Sequence, residues 1–160
     1  MCGQDKDEKK AQYLRAIFDG IPVPTFIVDA DVRIQDFNTA AEQFLGPDPA
    51  IALYLRGGEA LHCIHAEKAG CGKAKVCGGC VIRKSVTRAM AGKVASRQLH
   101  QVEWRSSHGT TAVDLLVTAS LLPYTEPPRA LLILEDIREI IRKHGRGQVP
   151  ARRRSTGRRP

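Results

Sequence analysis

TFIVDADVRIQDFNTAAEQFLG, residues 25–46, carries two strand patterns and a helix start in close succession. Residues 25–30 (TFIVDA) open with β-branched and aromatic side chains and read as a strand. Asp29-Ala30-Asp31 is a turn, and residues 32–37 (VRIQDF) alternate as a second strand. Thr39 and Glu42 have capping-box spacing, so a short helix is expected to begin there and to stop at Gly46-Pro47.

Outward from this block the periods change. Upstream, residues 8–19 place Tyr13, Leu14, Ile17 and Phe18 on one helical stripe, with Gly20 as C-cap. Pro22 and Pro24 then favour extended chain. Downstream, residues 50–56 suit another helical turn. Residues 57–80 hold six glycines and little periodicity, which reads as a loop. Residues 81–91 put Ile82, Val86, Ala89 and Met90 on one helix face, with Gly92 as the stop. Strand-like runs follow at 97–105, 111–122 and 129–136, separated by Ser106 to Gly109 and Pro123 to Pro128. Residues 137–144 form an exit helix through Ile137, Ile140 and Ile141, ended by Gly145.

This order specifies an α+β fold: a five-stranded antiparallel sheet with helices on one face, plus a Cys-rich loop. Residues 10–144 are expected to form the domain. Residues 1–9 and the basic tail 145–160 are expected to be disordered.

The chain has 160 residues, enough for one domain with a core, and an ordinary apolar fraction of 42%. No apolar run is long enough to span a bilayer, and MCGQDKDEKK has no apolar leader segment, so a cytoplasmic protein is expected. Reducing conditions there favour metal or redox use of cysteine over structural disulfides. The net charge of +8 comes from the end of the chain. Eight of the 25 Lys and Arg follow Glu139 and no acid does, which leaves 17 basic against 17 acidic residues before it. A basic tail such as GRGQVPARRRSTGRRP is a solvated terminus or a weak contact to nucleic acid or acidic lipid.

Cys63, Cys71, Cys77 and Cys80 crowd into GEALHCIHAEKAGCGKAKVCGGC, with spacing C-x7-C-x5-C-x2-C. Four thiols so spaced suit tetrahedral zinc or an iron–sulfur cluster. The paired glycines of CGGC are expected to let both sulfurs face one ion. The start of the helix at Val81 and the cations Lys73, Lys75, Arg83 and Lys84 are expected to favour thiolate. The other readings are a dithiol switch, Cys77 with Cys80, unconnected buried thiols, and a structural zinc loop in a nucleic-acid-associated protein whose basic tail contacts phosphates. His62 and His65 flank Cys63 and are expected to be solvated loop histidines, with replacement of one thiolate ligand as the alternative. His100 and His108 are expected on the surface, Trp104 in the core or on the sheet surface, and Cys2 apart from the site. No phosphate loop, GxSxG or HExxH motif is present, and a closed four-thiolate site suits structure or sensing, so no enzyme is expected.

The blocks TFIVDADVRIQDFNTAAEQFLG and LLILEDIREI resemble the opening strand pair and helix, and the last strand and exit helix, of PAS domains. The resemblance covers about residues 10–144. GEALHC…GCG…CGGC and the helix after it resemble a cysteine-bearing subset of bacterial PAS sensors. The resemblance implies a signal-sensing or dimerising module that passes a change along its exit helix. The exit helix runs into the basic tail, so a homodimer, a partner acting in trans or a remnant of a larger sensor is expected. A LOV-type flavin motif and a haem-binding histidine context are absent, so neither cofactor is expected. A pocket lined by strands 25–37 and 111–121 is expected to be filled core, with a small apolar ligand, as in some PAS domains, as the alternative.

Overall fold

A computed structural model of the chain describes residues 2–145. Helix α1 (Cys2–Gly20) starts at Cys2, so residues 2–9 are helical where disorder was expected. Their Asp, Glu and Lys residues are compatible with helix, and Lys9 pairs with Asp5 one turn away at 3.0 Å. The far end of α1 is tied to the sheet edge by Arg15. It donates to Asp19 at 2.7 Å, to both carboxylate oxygens of Asp36 at 2.9 Å and to the Phe37 carbonyl at 3.0 Å.

Strands β1 (Thr25–Val28) and β2 (Ile34–Phe37) pair antiparallel around the Asp29 turn, where Asp29 Oδ1 accepts from the amides of Asp31 and Arg33. The helical stretch after β2 begins with a 3-10 turn, Thr39–Ala41, and continues as α2 (Glu42–Leu45). Its cap is Asn38 rather than Thr39. Asn38 is fully buried and makes four hydrogen bonds. Its Oδ1 accepts from Thr25 N and Ala41 N, and its Nδ2 donates to the carbonyls of Ile21 and Val23. One amide thus closes both the start of β1 and the start of the helix.

The glycine-rich segment is more structured than expected. It folds into α3 (Gly57–Ala60), α4 (Ile64–Ala69) and a 3-10 turn, Lys75–Gly79. Helix α5 (Val81–Met90) buries Ile82, Val86 and Ala89. The hairpin of β3 (Ala95–Ser106) and β4 (Gly109–Leu122) follows, then β5 (Arg129–Asp136) and α6 (Arg138–His144). The antiparallel sheet has the order β2-β1-β5-β4-β3. Its inner face supplies Phe26, Val28, Leu115, Val117, Leu132 and Leu134, which α5 covers with Val86 and Ala89. These side chains fill the space between β1–β2 and β4 with core.

Candidate functional site

β3 lies at the sheet edge and alternates along its length. His100, Val102 and Trp104 share its inner face, while Leu99, Gln101, Glu103 and Arg105 are exposed. The cysteine segment docks against this edge. Cys63 forms a bridge to Trp104, Arg105 N donates to the His62 carbonyl at 2.8 Å, and Arg105 pairs with Glu67 of α4 at 2.6 Å. Between segment, α5 and β3 lies a cavity of about 370 Å³. All four cysteines, 63, 71, 77 and 80, line it. They reach it from the residue before α4, the turn after α4, the 3-10 turn and the cap of α5.

Two histidine expectations change, at His65 and His100. His62 is exposed, as a solvated loop histidine would be, but His65 lines the cavity. His100, expected on the surface, lines the cavity, with Nε2 at 4.0 Å from Cys80 Sγ. The sequence signal was there: His100 is in phase with Val102 and Trp104, and the exposed Leu99 obscured it. Burial pulls the His100 imidazole below its ordinary value, towards the neutral form that binds metal.

The expected thiolate at Cys80 is also corrected. Burial pushes the Cys80 thiol above its ordinary value, and the amides of Arg83 and Ile82 offset this only in part. Lys73, Lys75 and Lys84 are exposed, whereas Arg83 faces the cavity. Arg83 Nη1 lies 3.8 Å from Cys71 Sγ, and Nη2 donates to Asp31 at 3.0 Å. Arg56 holds the other oxygen of the same carboxylate at 2.7 Å. The Arg56 hydrogen bond first, and Arg83 second, hold the Asp31 carboxyl below the usual carboxylate range.

The glycines divide unexpectedly. Gly78 and Gly79 of CGGC have open space where a side chain would stand and are not in the left-handed region, so no strict need for glycine is visible. Gly70 and Gly72 have φ of +87° and +84° and do require it. Gly58 is tightly packed: a Cβ there would lie 2.9 Å from Cys71 Sγ, so Cys71 would have to shift.

The donors fit a soft metal by their chemistry and by facing one cavity. Among the described residues, no group of three or more His, Cys, Asp and Glu side chains is arranged to hold a metal ion. Arg83 holds Cys71 to one side, and Cys80 is set against His100 at the other. One buried side-chain polar atom among the described residues lacks a partner, and it is Nε1 of the cavity-lining Trp104.

Residues 12–77 match the family described as PAS domain. The described chain has a PAS-like fold. By structure it is similar to the PAS domain of an HTR-like protein from Haloarcula marismortui, with 18% identity, a TM-score of 0.54, and coverage of 84% of this chain and 97% of that one. It is likewise similar to the PAS domain of nitrogen regulation protein NR(II) from Vibrio parahaemolyticus, with 17% identity, a TM-score of 0.53, and coverage of 78% and 97%. A domain of a sensory box sensor histidine kinase/response regulator from Geobacter sulfurreducens matches with 20% identity, a TM-score of 0.52, and coverage of 79% and 94%. No curated protein matches the chain by sequence. No helix among the described residues is long and apolar enough to cross a membrane. The basic residues from Arg146 onward lie outside the described residues.

Proposed function

We propose that this PAS domain is a sensor rather than an enzyme, and that its cysteine cavity holds a metal centre whose state is relayed to a partner. The observation that carries this reading is the meeting of all four cysteines on one cavity. Zinc would organise the segment directly, because its binding energy is folding energy there. An iron–sulfur cluster would make the domain a redox sensor, and about 370 Å³ has room for it.

The route outward runs through packed elements. Cys80 caps α5, and α5 packs on β3, β4 and β5. Ile137, fully buried between β5 and α6, donates its amide to the Asp114 carbonyl of β4 at 2.9 Å. A shift of α5 on the sheet therefore has a path to α6. The partner in this reading includes a second copy of the chain. Tyr13, Leu14 and Ile17 of α1 are 67%, 55% and 49% exposed, an apolar stripe suited to pairing. Leu14→Glu with Ile17→Glu is expected to convert a dimer to monomer in sedimentation velocity; an unchanged dimer places the contact elsewhere.

The central test is anaerobic purification with metal analysis and an absorption spectrum, beside Cys77→Ser/Cys80→Ser. Bound iron and sulfide with broad visible absorption, or one zinc per chain, lost in the variant, supports the metal centre. No metal in either preparation sinks it. A specific observation favours one second reading. The Cys80 amide donates to the Cys77 carbonyl at 3.1 Å, so the two thiols belong to one turn. Mild oxidation giving a Cys77–Cys80 disulfide in a metal-free protein would support that thiol switch.

A further inference from the structure

The Cys80–His100 contact has the dimensions of a ligand pair. Tetrahedral zinc with bonds of about 2.3 Å to sulfur and 2.0–2.1 Å to nitrogen sets its sulfur and nitrogen about 3.5 Å apart. Cys80 Sγ and His100 Nε2 are 4.0 Å apart, and both line the cavity. At that distance the contact is long for a hydrogen bond and within about 0.5 Å of the separation a shared zinc ion would set.

The two residues are also anchored in regular elements, as Cys63 is through its bridge to Trp104. His100 stands in the β3 ladder opposite Leu115, which is fully buried. Cys80 is fixed by the first turn of α5, where the Lys84 amide donates to its carbonyl at 3.1 Å. Cys71 and Cys77 instead belong to short turns. A pair set by a strand and a helix start is preorganised, and the turns need only close onto it.

We propose that His100 is a nitrogen ligand of the metal centre, binding beside Cys80, so that the centre takes mixed thiolate and imidazole donors. This rests on the metal reading above and deepens it. His65, the other histidine on the cavity wall, is no part of the proposal.

The test uses the full chain, reduced and metal-free, titrated anaerobically with Co2+ as a probe. Three proteins are compared: the parent, His100→Gln and His65→Gln. In the parent, Co2+ is expected to give thiolate-to-cobalt charge transfer and the visible bands of a tetrahedral site. In His100→Gln the visible bands are expected to shift and the affinity to fall at least 10-fold, while His65→Gln follows the parent. Far-ultraviolet circular dichroism of metal-free His100→Gln, matching the parent, assigns the loss to the ligand and not to folding. If His100→Gln gives the parent's spectrum and affinity, His100 is not a ligand, and the metal centre stands on its cysteines. If the parent itself binds no Co2+ with thiolate charge transfer, the metal reading falls and the ligand proposal with it.

Discussion

Asp31 and Arg83 are 52 positions apart and form an ion pair at 3.0 Å. Asp31 belongs to the turn between the first two strands, and Arg83 to the helix that follows the cysteine segment. The pair ties the cavity wall to the opposite end of the sheet, and the same guanidinium reaches the Cys71 sulfur. Because Asp31 is half-exposed, the link is a positioning device more than a source of stability.

The pair sets an acid limb of stability. The Asp31 carboxyl is held below its ordinary value in the folded chain, so its contribution is present above the unfolded pKa. It is lost as pH falls from about 4 through the folded pKa. Arg83→Gln is expected to cost about 1 kcal/mol or less near neutral pH. Asp31→Asn is expected to flatten the fall in urea midpoint below about pH 4; an acid limb as steep as the parent's would show that Asp31 does not contribute to it.

Asn38→Ala is expected to cost about 2–4 kcal/mol. It removes one cap and strands the buried Thr25 amide. Urea unfolding with an unchanged slope checks this; a loss under about 1 kcal/mol would mean the amides find other partners.

Gly58→Ala forces a methyl within 2.9 Å of Cys71 Sγ and 3.3 Å of Ala66 Cβ. The expected cost is about 1–3 kcal/mol, with a displaced Cys71 and weaker metal retention. Gly78→Ala, with nothing within 4 Å, is the matched control and is expected to leave both nearly unchanged. Equal behaviour of the two variants would show that the tight packing at Cys71 is not felt.

Trp104 is the only tryptophan in the chain, and it lines the cavity. Its fluorescence is therefore a direct report of filling. Loading the parent with Co2+ is expected to quench it in step with bound metal, while Cys77→Ser/Cys80→Ser shows little change. Quenching of the same size in that variant would place the metal outside the cysteine cavity.

Much of the fold was legible because period and punctuation agree. The alternation of VRIQDF, the stripe of Ile82, Val86 and Ala89, and the apolar run LLILED each admit one buried face. Glycine content misled at residues 57–80, where short helices form because neighbouring elements hold them. Glu59 caps α3 through the Arg56 amide, and Arg105 of β3 pairs with Glu67 of α4. The cap at Asn38 was missed because Thr39 and Glu42 mimic a capping box, while only the packed chain shows which side chain reaches both amides.

The sequence by itself determined the sheet, the helix that covers it and the four thiols of the site. Those follow from local period and from residue chemistry, which need no neighbours to read. Only the tertiary structure decided that His100 joins the thiols and His62 does not, and that Cys80 is a half-buried thiol while Arg83 attends Cys71. Desolvation and donor geometry depend on what lies across the cavity, and a linear chain carries no record of that distance.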